Sequence, residues 1–394
     1  MTKPRTYLDY NASAPLRPEA REAMLAALDV VGNASSVHAE GRRARAIVET
    51  ARERVARLVN ARPSEVVFTS GATEANNWVL RAGWDSIILS NIEHDSVLGP
   101  TRAQWGQTPH TESRRSTRTA GCEGSDPIHT LSVSGKGVVS VAAIKTLATG
   151  GRTLLALQMA NNETGVVQPV AEAAALARER GMSVHSDAVQ APGRIAIDFR
   201  ALGVDTMSLS SHKIGGPKGA GALVVRDGFN LPPFISGGGQ ERRRRAGTEN
   251  VAAIAGFGAA ADAARYEAPE TSRMSSLRER LEREALQSTP GAIVLGSAAE
   301  RLCNTSCISL PGETAETLVI KLDLAGIAVS AGAACSSGKV GASHVLAAMG
   351  VAPEFARGAI RVSLGHATTE NDIDAFLAAW REIAATKTRA LKVA

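Results

Sequence analysis

The sequence predicts an α/β fold, a mostly parallel sheet with helices on both faces, followed by a smaller α+β unit. Three observations carry this. Short apolar runs of strand length alternate with stretches of helical period across the first two-thirds of the chain. Polar and charged residues gather just after those runs, where ligands collect beyond the carboxyl ends of the strands of such a sheet. Beyond about Ala255 the alternation gives way to a long helical stretch and shorter strands.

Taken in order, Tyr7-Leu-Asp-Tyr-Asn-Ala-Ser-Ala-Pro15 reads as a short strand and a polar turn. From about Gly41 to Asn60, Ile47, Val48, Ala51, Val55 and Leu58 recur at helical spacing. Val66-Val-Phe-Thr-Ser70 reads as a buried strand running into Gly71-Ala-Thr-Glu-Ala-Asn-Asn77, which has the chemistry of a helix start. A phosphate sits well at such a junction, on free N–H donors and the helix dipole, although many helix starts bind nothing. Further strands are expected at Ser86–Ser90, Leu154–Leu157, Met182–His185, Thr206–Leu209 and Ala222–Val225, with a helix over Ala171–Arg180. Thr73, His94, Asn162, Asp187, Gln190, Ser210, His212 and Lys213 all fall after apolar runs. Eight residues in one topological position are hard to assign to packing alone. Lys213, in Ser208-Leu-Ser-Ser-His-Lys213, stands at a strand exit, where partial desolvation would free a neutral amine for Schiff-base chemistry. By itself it reads more readily as a surface lysine in a turn.

From about Arg102 to Asp126 the chain is rich in Arg, Ser, Thr and Gly without period, and reads as a mobile loop or insertion; Cys122 lies in it without an assigned role. Past Ala255, a helical stretch through Leu286, strands at Ile293–Leu295 and Cys307–Leu310, and a helix over Glu313–Ala325 make up the smaller unit. The expected boundaries are a large domain over 16–255, and a small domain of 1–15 with 256–394.

Composition narrows the function classes. The 394 residues are 44% hydrophobic and 21% charged, with no apolar run near the roughly 20 residues of a membrane span and no signal-peptide stretch, so a cytoplasmic protein is expected. The net charge of +5 comes mostly from arginine, densest at Arg242-Arg-Arg-Arg245, but without interleaved aromatics or a reading motif it does not predict direct nucleic-acid binding. That run is a candidate docking patch for an acidic partner. Cys122, Cys303, Cys307 and Cys335 are too few and irregular for a disulfide framework, and Cys303 and Cys307 lack further ligands for a metal site.

With these pieces in place, the chain resembles the cysteine desulfurases, in the NifS/IscS-like branch of the class V aminotransferase-type enzymes. The resemblance rests on Tyr7-Leu-Asp, Gly32-Asn-Ala-Ser-Ser-Val-His38, Thr69-Ser-Gly-Ala-Thr-Glu74, Glu93-His94, Asn161-Asn-Glu-Thr-Gly165, Asp187-Ala-Val-Gln190, Ser210-Ser-His-Lys213, Gly247-Thr248 and Ala334-Cys335-Ser-Ser. It departs over about 102–126, where the family has a shorter strand-and-turn segment.

The resemblance implies the aspartate aminotransferase-like fold type I, with a seven-stranded sheet, and pyridoxal 5'-phosphate as cofactor. It implies Lys213 as the Schiff-base lysine, Asp187 on the pyridine nitrogen, and His94 stacked on the ring and moving protons. It implies Gln190 on the phenolic oxygen, and Ala72, Thr73, Ser210 and His212 at the phosphate, with Thr248 reaching in from the partner of a homodimer. Asn162 and Arg361 would hold the substrate carboxylate, a task that suits guanidinium. Cys335, among small residues, would be the nucleophile that takes sulfur from L-cysteine, leaving L-alanine and a persulfide for an iron–sulfur scaffold or other sulfur acceptor. No metal site is expected, although Cys335 is a candidate ligand for a transferred iron–sulfur cluster. Two rivals stand beside this reading. A selenocysteine lyase, or a related lyase or aminotransferase of the same fold, would keep the cofactor and change the reaction. A non-catalytic sulfur-transfer scaffold would need neither Lys213 nor Asp187.

Overall fold

The computed structural model describes residues 5–105, 127–148, 150–265, 270–332 and 343–393. Cys122 and Cys335 fall outside them. Among the described residues, thirteen strands form three sheets. A short parallel pair joins β1 (Thr6–Tyr7) to β11 (Ile327–Ala328). The large sheet takes β2 (Val66–Thr69), β3 (Ser86–Ser90), β4 (Ile128–Leu131), β5 (Thr153–Ala156), β6 (Ser183–Asp187), β7 (Thr206–Ser210) and β8 (Gly221–Val225). The third sheet takes β9 (Ile293–Leu295), β10 (Thr305–Ser309), β12 (Ser330–Ala331) and β13 (Ala359–Ser363), all antiparallel.

In the large sheet the order is β2-β8-β7-β6-β5-β3-β4. Neighbours from β7 through to β4 run parallel, and β8 alone runs against both of its neighbours, β2 and β7. Strands buried on both faces read as continuous apolar runs. Phe68, Ile88, Leu155, Val184, Met207 and Val224 face one core, shared with the helices Ala39–Leu58 and Val251–Arg265. Val67, Ile87, Leu89, Leu154, Leu223 and Val225 face the other, with Trp78, Val79 and Leu80 of the helix Ala72–Leu80. The first two helices come close because Gly258 has no side chain: a Cβ there would lie 2.6 Å from Ala51 Cα. A third core joins Leu8 to Leu281, Ile308, Leu318, Val362, Phe376 and Trp380, so the N-terminal strand returns to the C-terminal part of the chain.

Three stretches read from the sequence can be set against the structure. Within Ala255 to Leu286 the described residues are helical, in Val251–Arg265 and Glu270–Ser288, and 266–269 lie outside them. Residues 102–105 belong to a helix, Asp95–Trp105, so the aperiodic segment begins later than Arg102; 106–126 lie outside the described residues. The arginine run, read as a candidate docking patch, is partly engaged within the chain. Arg242 donates to Pro63 O, Arg245 pairs with Glu74, and Arg244 Nη1 is buried.

That run begins in a strained turn. Glu241, Arg242 and Arg243 have φ of 46°, 57° and 63°, a region non-glycine residues avoid at a cost of about 1–2 kcal/mol each. Glu241 holds it. Its buried carboxylate accepts from Arg52 Nη1 at 2.7 Å and Nη2 at 2.9 Å, and from Phe68 N at 2.9 Å. Removing one member of a buried pair strands the other, so Glu241→Ala is expected to cost about 3–5 kcal/mol in urea unfolding. A loss below about 1 kcal/mol would show that the pair does not hold this turn.

Candidate active site

The polar residues converge because the parallel strands end together. A cavity of about 560 Å³ opens there, lined by Ala72, Thr73, His94, Asn162, Asp187, Gln190, Ser210, His212, Lys213 and Arg361. Ten residues singled out from sequence therefore share one space. Thr248 is exposed and does not line the cavity of its own chain.

Each wall has a local cause. Asp187 is the last residue of β6, Ser210 the last of β7, and Lys213 closes the 3-10 turn that follows. Lys213 Nζ donates to Asn11 O at 2.5 Å and Ala12 O at 3.0 Å, so the N-terminal segment crosses over the amine. Gln190 Nε2 donates to the same Asn11 O at 3.1 Å. Across the cavity, the helix Ala72–Leu80 starts at Gly71 with no side-chain cap, leaving first-turn N–H groups for a ligand. Its start is set by β8: a Cβ on Gly221 would lie 2.6 Å from Gly71 Cα.

Asp187 is oriented rather than merely buried. Oδ2 accepts from Asn76 Nδ2 at 2.8 Å and Oδ1 from Val189 N at 3.0 Å. Asn76 Nδ2 also donates to Ser96 Oγ at 2.8 Å, and Ser96 N donates to His94 Nδ1 at 3.0 Å. His94 Nδ1 is therefore an acceptor, and a neutral ring carries its proton on Nε2. Behind Asn76, His185 Nε2 meets Asn76 Oδ1 at 2.9 Å, and Nδ1 meets Thr206 Oγ1 at 2.9 Å. Burial pushes His185 down to about 4, so it serves as a neutral support. His212 is pushed down to about 4 by burial, then by Lys213 and Lys218, and stays a neutral hydrogen-bonding ring.

Arg361 is buried on β13. Nη2 pairs with Asp9 Oδ1 at 2.8 Å, Nη1 donates to Asn162 O at 3.2 Å, and Nε is buried with no hydrogen-bond partner among the described residues. Asp9 is itself held by Ser330 Oγ at 2.8 Å. An incompletely used, buried guanidinium on the cavity wall suits a carboxylate ligand.

Sequence reading missed Asn11, Asn76 and Ser96. Asn76 was within reach, since it stands three residues after Thr73 and so faces the same side of the helix. The other two act through a backbone carbonyl and a short hydroxyl, which leave no pattern.

Comparison with known proteins fits this geometry. The Aminotransferase class-V family description matches residues 6–376. The chain belongs to the class-V aminotransferase family. It is 41% identical to a cysteine desulfurase of Cereibacter sphaeroides over 95% of this chain and 94% of that one. It is 39% identical to the cysteine desulfurase IscS of Dictyoglomus turgidum, over 94% of this chain and 92% of that one. Among solved structures, a NifS-like protein from Rickettsia africae superposes with a TM-score of 0.84 at 36% identity, covering 96% of this chain and 99% of the other. A structure of SspA in complex with cysteine gives 0.76 at 29% identity, over 91% and 98% of the two chains. The fold is therefore the type I fold of pyridoxal phosphate enzymes, and the cofactor is pyridoxal 5'-phosphate. The cavity fits it, with an uncapped helix start for a phosphate, a lysine amine for an aldehyde and a doubly held carboxylate for a ring nitrogen. Among the described residues, no group of three His, Cys, Asp or Glu could hold a metal ion.

Two predictions follow from the buried groups. Asn76→Ala removes a donor to a charged acceptor and is expected to weaken pyridoxal phosphate binding about tenfold, measured by fluorescence titration of apoprotein. A dissociation constant unchanged within twofold would contradict the role given to Asn76. Glu93 and Glu163 are fully buried, and burial raises them to about 8 and about 7. Folded protein thus holds protons that the unfolded chain releases above its ordinary carboxylate pKa. Stability should fall as pH rises from about 4.5 to about 8. Glu93→Gln should flatten that slope in urea unfolding; an unchanged slope would exclude Glu93 as its source.

Proposed function

We propose that this chain is a cysteine desulfurase that moves sulfur from L-cysteine to Cys335 and from there to an acceptor protein. One observation carries it. Lys213, Asp187 and Arg361 line a single cavity in a chain about 40% identical, over nearly its whole length, to proteins named cysteine desulfurase.

Arg361 and Asn162 receive the substrate carboxylate, and Asp9 keeps the guanidinium in place for it. Ala72 and Thr73 at the helix start, with Ser210 and His212, hold the cofactor phosphate. Gln190 donates to its phenolic oxygen and Asp187 keeps its ring nitrogen protonated. Bound there, the cofactor supplies an electron sink for the pair left on the substrate's Cα. Lys213 holds the cofactor between turnovers and, once released, moves the Cα proton. His94 covers the ring and offers the proton on Nε2.

The Cys335 thiolate then takes the sulfur. The substrate's Cβ–Sγ bond breaks, an S–S bond forms at Cys335, Cβ gains a proton, and L-alanine leaves. The persulfide passes to an iron–sulfur scaffold or another sulfur-acceptor protein, and Cys335 is a candidate ligand for a transferred cluster.

The same proposal places the enzyme in the cytoplasm as a homodimer. Thr248, exposed and away from its own cavity, would complete the partner's phosphate site, which supports the dimer. Among the described residues no helix is long and apolar enough to cross a membrane. For chain organisation we propose a large domain over 16–255 and a small domain of 1–15 with 256–394. The helix Val251–Arg265 spans that boundary with its apolar side in the large core.

The test uses holoenzyme with L-cysteine. Lys213→Ala should abolish the lysine-linked cofactor absorbance. Cys335→Ser should keep that absorbance and form no persulfide. A Cys335→Ser protein releasing sulfide at the wild-type rate would sink the mechanism.

A further inference from the structure

Gln190 lines the cavity, and a side-chain amide can present either its oxygen or its N–H groups to a ligand. Here the surroundings leave one choice. Arg194 Nη1 donates to Gln190 Oε1, and to Gln190 O at 2.9 Å. Gln190 Nε2 donates to Asn11 O at 3.1 Å. A guanidinium only donates and a backbone carbonyl only accepts, so turning the amide over would break both side-chain contacts. It would set N–H against N–H at Arg194 and oxygen against oxygen at Asn11.

The local fold brings Arg194 to this place. Ala191 N donates to Ala188 O at 2.9 Å and Arg194 N to Ala191 O at 3.0 Å, and Gly193 between them has φ of 74°. Glycine enters that left-handed region at little cost, and the tight turn returns the side chain of Arg194 to Gln190. Arg194 is buried and does not itself line the cavity. Its Nη2 donates to Lys213 O at 3.4 Å, so it stands behind two residues that do. A cation on Oε1 polarises the amide and makes Nε2 a stronger donor. Nε2 carries two N–H groups and gives one to Asn11 O, so a second remains for an acceptor in the cavity.

We propose that Arg194 is a positioning residue for the cofactor, holding Gln190 so that it meets the phenolic oxygen only as a donor. This rests on the reading of Gln190 as the residue at that oxygen. An oxygen bearing negative charge gains from an N–H and is repelled by Oε1. An amide free to turn would therefore lose part of the contact, although Gln190 itself is unchanged.

The experiment strips the full-length protein of cofactor and titrates pyridoxal 5'-phosphate back, followed by fluorescence. It compares wild type with Gln190→Ala, Arg194→Met, the two together, and Arg194→Lys, and records the lysine-linked absorbance band of each. Gln190→Ala should weaken binding about tenfold and Arg194→Met about fivefold. Because Arg194 acts through Gln190, the double variant should bind within about twofold of Gln190→Ala alone. Both single variants should move the absorbance band in the same direction. One nitrogen of Arg194 makes both contacts to Gln190, so Arg194→Lys should bind within about threefold of wild type. Losses that multiply in the double variant, or a Lys variant as weak as the Met variant, overturn the proposal and leave Gln190 as a cofactor ligand. Wild-type affinity in Gln190→Ala removes the reading of Gln190 and the proposal with it. Should Arg194→Met fail to fold, Gln190→Glu keeps a partner for Arg194 and puts an oxygen in place of Nε2. It should bind at least about tenfold more weakly than wild type, and wild-type affinity there would overturn the proposal. Cofactor titration needs no turnover, so it decides the role of Arg194 even if Cys335→Ser shows the desulfurase reading to be wrong.

Discussion

The site depends on keeping one buried carboxylate aimed. Asp187 sits at the end of a central strand, nearly out of solvent, where an isolated charge would be strongly disfavoured. Two N–H donors, Asn76 Nδ2 and Val189 N, stabilise it. Asn76 links that carboxylate to Ser96, which meets His94, and Asn76 is in turn fixed by His185, whose other ring nitrogen meets Thr206. The chain of donors and acceptors leaves little choice of orientation. A rotated Asn76 amide would set its N–H groups against a neutral histidine and its oxygen against a carboxylate. Fixing Asn76 therefore fixes how the carboxylate is presented at the cavity floor, while Ser96 N sets the tautomer of His94.

The second organising constraint is where distant parts of the chain cross. Asn11 O receives Lys213 Nζ and Gln190 Nε2, while Asn11 Nδ2 donates to Thr305 Oγ1 at 2.9 Å and Asn162 O at 3.1 Å. Asp9 binds both Arg361 and Ser330. The N-terminal segment thus stitches the large sheet to the four-stranded sheet at the cavity wall. Arg361, proposed to hold the substrate, comes from one sheet, and Lys213, proposed to hold the cofactor, follows a strand of the other, so neither sheet alone brings both to the cavity.

Most of the large sheet was legible in the sequence because its strands are buried on both faces and their polar ends stand out against apolar runs. Asp187, Ser210 and Lys213 could be placed for that reason. The helix Pro18–Leu28 was not read, since Leu25 and Leu28 are exposed and blur its apolar stripe. The helix Asp95–Trp105 carries Gly99 and Pro100, which mask its period. The strand β4 is only four residues long and follows an aperiodic stretch. The roles of Asn11 and Asn76 come from contacts more than a hundred positions apart in the chain, which no local pattern encodes. Thr248 was singled out from its motif alone, and it is exposed and does not line the cavity of its own chain.

The central claim is that the cavity floor holds a charged Asp187 against a protonated ring nitrogen. The most direct measurement is the nitrogen-15 chemical shift of cofactor labelled at the pyridine nitrogen, in the assembled enzyme. The account predicts the shift of a protonated pyridinium, constant from about pH 6 to about pH 9. A shift that moves within that range to the value of an unprotonated pyridine would contradict it.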